Sequence, residues 1–499
     1  MAKQQTRSWI GLALALLVVA HTAALAITAA AQPAGTTAST TSNNQAAAAS
    51  LKCFEAIRVE NDEIERPPAV TGHSLIALSH ALWMYGGIIH WENGEKVEYG
   101  HVLWTYETDD NTWDRTFADK GPAQPLRVNE TVDVQYGDSW LVARVVEPKR
   151  PDHTVRVVVD VPTKPLDLVV ARSKIRYYPP AMNMHVAVGT TTSTGVPVMY
   201  IHGGKGQKGR VSSDLWMFVF ERAAWVRVLP KTSEPAAREM HAGIVIDRGL
   251  FIYGGVRGQT NFEDMWHFSF KDSTWTELQP APGPRPPPGW GHRLALTTHE
   301  TRGRQTIWMF GGYNQTTGIN ELWSLDWATR QWTLHGLNGL AFTRGAESLF
   351  DPTSDALDPD RGAAAVETTA DEASVAERLT SAEEDDGLPA GWWYRRPSRD
   401  MAWPAARKGH SMTLFEGNLI VFGGHGRVDF YDDVWVYRIA DGVWIGPIPC
   451  ASAPPPRNYH ATAVLADSLF IFGGNNVQGL LKDFWRLNLK KIASFAQIQ

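Results

Sequence analysis

Cysteine is nearly absent, for the 499 residues contain only Cys53 and Cys450. Two thiols cannot supply the disulfide framework that holds small secreted folds together, so packed apolar side chains must do it. Beyond residue 31 no apolar run reaches the roughly 18 residues that a spanning helix needs. The chain also lacks an HExxH pair, a Walker-type phosphate loop and a nucleophile elbow, which removes the usual signatures of several hydrolase classes. No metal site and no cofactor is expected. Strong charge is missing too. The formal charge is −6, and residues 347–386, with thirteen Asp/Glu against Arg361 and Arg378, carry −11 of it, leaving the remainder at +5. A surplus that small argues against nucleic acid as a partner.

What is present is aromatic and turn-forming: 21 Trp, 43 Gly and 30 Pro. At the N-terminus Lys3 and Arg7 precede an apolar run from Ile10 to Ala20, with small-residue cleavage candidates at Ala24-Leu25-Ala26 and Ala29-Ala30-Ala31. This is the layout of a secretory signal peptide over 1–31, and an uncleaved membrane anchor is the alternative. The Thr/Ser/Ala/Asn/Gln tract over 32–50 cannot build a core and reads as a flexible leader. The expected setting is secreted or lumenal. There, Asn129-Glu130-Thr131 and Asn314-Gln315-Thr316 are usable glycosylation sequons.

One stretch supplies a ruler. From His410 to Trp444 a His is followed by the apolar run Leu419–Phe422, then Gly423-Gly424, Trp435 and Trp444. Such short runs between turn residues suit strands better than helices. One sheet of four short strands is not stable alone, so copies are required. Gly-Gly recurs at 86–87, 203–204, 254–255, 311–312 and 473–474. The matching His residues are His73, His185, His241, His292 and His460. Trp104/Trp113, Trp216/Trp225, Trp266/Trp275 and Trp323/Trp332 repeat the Trp spacing, and Trp485 begins a sixth pair. A period near 50 points to a propeller.

This His, Gly-Gly, Trp, Trp pattern resembles the kelch repeat. The resemblance implies an all-β, six-bladed β-propeller with one four-stranded blade per repeat. It also implies that the repeated His residues belong to the packing rather than to a metal site. Closing the ring takes a strand from one end of the chain. Ser494–Ile498 is one candidate. Lys52–Val59 fits better, since Phe54 stands nineteen residues before His73, close to the sixteen that separate Trp444 from His460. On that reading Cys53 opens an outer strand on one face while Cys450 lies in an interblade loop on the other, so the two are not expected to pair.

The expected domains are a closing strand and blade one over 51–120, blades two to four over 178–339, and blades five and six over 401–499. Two insertions separate them. Residues 340–400 are acidic, without strand-like alternation, and read as a disordered insertion. Residues 121–177 hold consecutive strand-like runs without Gly-Gly or a Trp pair, and a seventh blade is the weaker reading. Val132–Tyr136, Trp140–Val145, Val155–Asp160 and Asp167–Arg176 look like a Tudor-type SH3-like barrel, whose methyl-reader members use an aromatic cage. Tyr136 and Trp140 are the candidate cage residues.

In such a blade the loop after Gly-Gly and the link to the next blade emerge on one face, where a rigid scaffold presents binding residues. The candidates there are Lys205, Lys208, Arg210, Arg257, Trp290, His425, Arg427, Tyr459, Asn475 and Asn476. They suggest a shallow, mildly basic surface for a protein or glycan partner, one of acidic character included, without catalysis. A metal-using oxidoreductase or lyase on the same fold is the alternative. In galactose-oxidase-like propellers a cysteine is cross-linked to a ligand tyrosine, and neither cysteine here sits in that arrangement. A Tudor-like reader of modified protein tails is the third reading.

Overall fold

A computed structural model of the chain describes residues 51–498 apart from 60–65, 91–96, 101, 117–125, 127, 129–130, 137–138, 151–153, 160–164, 172–174, 177–178, 207–208, 300–302, 315, 338–339 and 342–402. The signal-like segment, the leader and nearly all of the acidic insertion therefore lie outside the described residues, as do Lys208 and Asn129. Among the described residues, no helix is long and apolar enough to cross a membrane.

Each repeat forms one antiparallel sheet. In blade one the order is Ser74–Leu78, Ala81–Tyr85, Leu103–Glu107 and Thr112–Thr116, paired consecutively. The two repeats with the longer His-to-Gly spacing absorb the extra residues at hairpin tips, between Thr191 and Pro197 and between Thr298 and Gln305. The six innermost strands are Ser74–Leu78, Val186–Thr191, Ala242–Ile246, Arg293–Thr298, Ser411–Phe415 and Ala461–Leu465. They lie side by side in that order, and the last lies beside the first. The sheets thus form a six-bladed propeller.

The ring is also closed by the backbone. Ahead of each repeated His stands a residue with positive φ: Gly72, Met184, Met240, Gly291, Gly409 and Tyr459. The amide of each donates to the carbonyl of the one before it, and Gly72 donates to Tyr459, over 2.8–3.2 Å. Six hydrogen bonds encircle the axis.

The Gly-Gly pairs have a steric cause beyond their left-handed φ. A Cβ on Gly254, the first of its pair, would stand 2.7 Å from the Gly289 carbonyl and 2.8 Å from Cε1 of His292 in the next blade. A Cβ on the second, Gly255, would stand 2.7 Å from Cβ of His241 in its own blade. Each pair therefore passes between two imidazoles. Those rings meet the aromatic residue before the preceding blade's Gly-Gly, as His410 meets Phe310 and His73 meets Phe472. The second Trp of each pair packs on the same aromatic: Trp225 on Tyr85, Trp332 on Tyr253 and Trp444 on Phe310. These large rings each bury roughly 150–250 Å², and the junction of blades two and three differs in that the central ring is His202, which packs on Trp275 and hydrogen-bonds to His241 at 3.0 Å.

Blade six has no second Trp of its own. Phe54–Ala56 pairs antiparallel with Phe484–Asn488 as its outer strand, with Phe54 opposite Leu487, the position equivalent to Tyr106 opposite Trp113 in blade one. Phe54 then contacts Phe422 as a Trp would. The C-terminal residues expected as the rival strand form a helix instead, Leu489–Ile498, which buries Leu489, Ile492, Ala493 and Ala496.

The expectation for the cysteines is corrected. Cys53 and Cys450 form a disulfide, with Cα atoms 5.4 Å apart. The link from blade five runs back beside the incoming N-terminal segment, so that Leu51 and Cys450 form a parallel bridge and Leu51 N donates to Pro449 O at 2.7 Å. The long link between Ile445 and His460 has the slack to do this, which spacing alone did not show.

Residues 131–176 form a five-stranded antiparallel sheet, with Ile175–Arg176 returning beside Thr131–Tyr136. Val132, Val134, Ala143, Val145, Val155 and Val157 are buried on it. Because Ser74–Leu78 lies directly beside Val186–Thr191, this sheet is not a blade of the ring.

Candidate binding face

The residue two before each repeated His, and the residue after each Gly-Gly, are brought together by short backbone pairings. These are Thr71 with Ile88, Asn183 with Lys205, Glu239 with Val256, Trp290 with Tyr313, Lys408 with His425, and Asn458 with Asn475. The residue between them has positive φ, which breaks the extended alternation, so the His turns into the junction while the residue two before it pairs with the one after the Gly-Gly. These twelve positions make a double rim around the hydrogen-bonded ring.

The rim is chemically uneven. On blades two and three, Lys205 Nζ pairs with Glu239 Oε1 at 3.2 Å, so that lysine is not a free cation. Burial raises the Glu239 carboxyl, and Lys205 works against that rise. On blades one and six, Thr71 Oγ1 donates to Asn475 Oδ1 at 2.9 Å. On blades four and five, Lys408 Nζ stands 4.8 Å from the Trp290 ring centre and 4.3 Å from that of Tyr313, with the two rings 5.2 Å apart. A cation over two ring faces is held by their quadrupoles. Desolvation lowers the Lys408 amine below its ordinary value. His425, across the pairing from Lys408, is lowered by burial and by that lysine's charge.

The expected site residues sort accordingly. Trp290, His425, Tyr459, Asn475 and Lys205 are on or inside the rim. Arg210, Arg257 and Arg427 are exposed beyond it. Asn476 Oδ1 accepts from Gln478 N within its turn. Asn314 Oδ1 accepts from the amides of Thr316 and Thr317, so the sequon asparagine sits in a tight loop. Tyr136 is exposed on the inserted sheet. Four polar atoms at rim positions, Asn183 Oδ1, Glu239 Oε2, His425 Nδ1 and Asn458 Oδ1, are buried without a hydrogen-bond partner among the described residues. Such groups are normally satisfied by water or a ligand. Among the described residues, no group of three or more His, Cys, Asp or Glu is arranged to hold a metal ion.

Sequence reasoning missed Tyr313, Lys408 and Glu239. Their signal was available, since position minus two from each His, which holds Lys408 and Glu239, and the position after each Gly-Gly, which holds Tyr313, recur in every repeat. It also missed a buried ion pair under the rim. Arg238, Arg407 and Arg457 are fully buried three residues before a His, and each reaches an Asp two residues before a Trp: Asp264, Asp433 and Asp483, at 2.6–2.9 Å. The Trp indole donates to the same carboxylate. The Arg-x-x-His and Asp-x-Trp spacings were legible in the sequence.

The model described as the KLHDC2/KLHL20/DRC7 Kelch-repeats domain matches residues 147–345 and 389–496. Among curated proteins, the leucine-zipper-like transcriptional regulator 1 homolog of Drosophila melanogaster is 26% identical over 292 residues, 55% of this chain and 28% of that protein. Human Kelch domain-containing protein 10 is 22% identical over 317 residues, 59% of this chain and 66% of that protein. Mouse multiple epidermal growth factor-like domains protein 8 is 23% identical over 292 residues, 55% of this chain and 10% of that protein. The chain thus spans less than two thirds of the length of each of these relatives. With the family model matching more than half of the chain, and six blades built on its repeat, the chain belongs to the KLHDC2/KLHL20/DRC7 Kelch-repeats family.

Proposed function

We propose that this propeller is a non-catalytic protein-interaction module whose double rim grips a segment of a partner protein in a secreted or lumenal compartment. The single observation that carries the binding reading is the set of unpartnered buried acceptors on the rim, Asn183 Oδ1, Glu239 Oε2 and Asn458 Oδ1. They call for donors, which the backbone amides of an extended peptide supply. The Lys408–Trp290–Tyr313 cluster and the exposed Arg257 and Arg427 add a cationic, aromatic side, suited to acidic side chains on that peptide. The Cys53–Cys450 disulfide supports the compartment, because such bonds persist where the surroundings are oxidising.

Affinity capture from extracellular material, followed by cross-linking to the full chain, tests this reading. A partner cross-linked at the rim by wild type should be lost when Arg257 and Arg427 are both changed to Ala, and when Trp290 is changed to Ala. Equal recovery by all three proteins would overturn it. Appearance of the full chain in the medium tests the compartment, and retention in the cytosol with free thiols would overturn that part alone.

A further inference from the structure

Beneath the ring of six backbone hydrogen bonds lies a cavity on the axis, lined by Gly72, Met184, Met240, Gly291, Arg293 and Tyr459 with four of the repeated imidazoles. Arg293 is the residue after His292 on the innermost strand of blade four, where the other blades carry Ser74, Val186, Ala242, Ser411 and Ala461. Of these six residues Arg293 alone carries a charge, and it alone lines the cavity, whereas Val186 and Ala461 pack into apolar clusters between blades. Among the described residues the guanidinium makes one hydrogen bond, from Nη1 to the adjacent His292 carbonyl, a long one at 3.4 Å. Among the described residues it pairs with no carboxylate. The nearest acid on the rim, Glu239, is engaged by Lys205.

We propose that the axial channel holds a small monovalent anion of halide size on the Arg293 guanidinium. A desolvated cation without a counter-charge is costly, and an anion in the adjoining cavity offsets that cost. Desolvation lowers the Arg293 group, which is the direction expected for a charge lacking its partner. Tyr459 lines the same cavity, and its phenol offers a second, neutral donor. The channel imidazoles are held neutral by burial, with His73 near 3 and His185 near 4, so Arg293 contributes the single positive charge. One charge balances chloride or bromide. A divalent oxyanion would remain undercompensated. Met184 and Met240 add soft, polarisable walls suited to a halide.

The test uses the full chain. Crystals soaked in bromide should show an anomalous peak within hydrogen-bonding distance of the Arg293 guanidinium. The thermal midpoint should rise saturably with chloride relative to gluconate at equal ionic strength. In Arg293→Met the chloride increment should vanish, while the midpoint in gluconate equals or exceeds that of wild type. If Arg293→Met fails to fold, Arg293→Lys serves, and there the increment should shrink while the bromide peak stays at residue 293. Bromide peaks on the surface but none on the axis would overturn the proposal, as would an equal chloride increment in wild type and Arg293→Met.

Discussion

At the scale of single residues, positive φ alone does not explain the repeated glycines. Gly254 and Gly417 both have it, at +63° and +75°, but a Cβ on Gly417 meets nothing within 4 Å while one on Gly254 collides with two groups. Gly417→Ala should cost about 1 kcal/mol from backbone strain alone. Gly254→Ala should cost several-fold more, because the Gly289 carbonyl and the His292 ring must both move. Thermal midpoints of the two variants check this, and equal losses would show that crowding is unimportant. The buried ion pairs give a second contrast. Asp264→Ala strands the fully buried Arg238, and should cost about 3–5 kcal/mol. Asp167→Ala removes an exposed pair with Arg156 on the inserted sheet and should leave the midpoint unchanged. The first loss was invisible to a reading that followed only His, Gly and Trp.

At the scale of elements, the blade junction is a pH-sensitive joint. Burial first, and the charge of His185 second, lower His73 to about 3; burial lowers His185 and His292 to about 4. An imidazole lowered in this way is protonated earlier in the unfolded chain than in the folded one. Its contribution to stability is therefore complete above about pH 6.5 and declines as pH falls toward the folded value. Asp264 and Asp483 add to this at lower pH. Burial opposes their charge, but their Arg and Trp hydrogen bonds outweigh it and hold them below their ordinary values, so their contribution is lost only below about pH 4. Stability should fall from pH 6.5 to 4 by on the order of 1 kcal/mol per pH unit for each junction imidazole. Denaturant melts across that range check it, and a flat profile would refute it. The closing strand is the other element with a consequence. Phe54 replaces a Trp at the junction of blades five and six, so Phe54→Ala should cost about 3–5 kcal/mol, read as a lowered midpoint with wild-type secondary structure retained below it.

At the scale of the whole molecule, the disulfide ties the first described strand to the link that enters the last blade, across 397 residues of sequence. Breaking it frees the strand that completes blade six. Changing both Cys53 and Cys450 to Ser should lower stability by roughly 2–5 kcal/mol. Reductant should lower the wild-type midpoint to that of the double variant, and an unchanged midpoint would count against a structural role. The same closure gives the candidate face its shape. Its two rims draw one residue each from positions spread between Thr71 and Asn475, so no local segment contains the site.

The sequence by itself determined the repeat, its six copies and the all-β character, because each depends on a local pattern of apolar, glycine and tryptophan positions; it favoured the strand at Phe54 for closure but left the C-terminal residues as a rival, which the structure makes a helix. It also put the loop after each Gly-Gly on the same side as the interblade link, since loop order within a blade follows from strand direction, and the backbone pairings agree. Only the tertiary structure decided that Cys450 reaches Cys53, that Lys205 is spent on Glu239, and that Lys408 lies over Trp290 and Tyr313. Those contacts join residues from different repeats, and the geometry of neighbouring blades, which no spacing along the chain encodes, sets their distances.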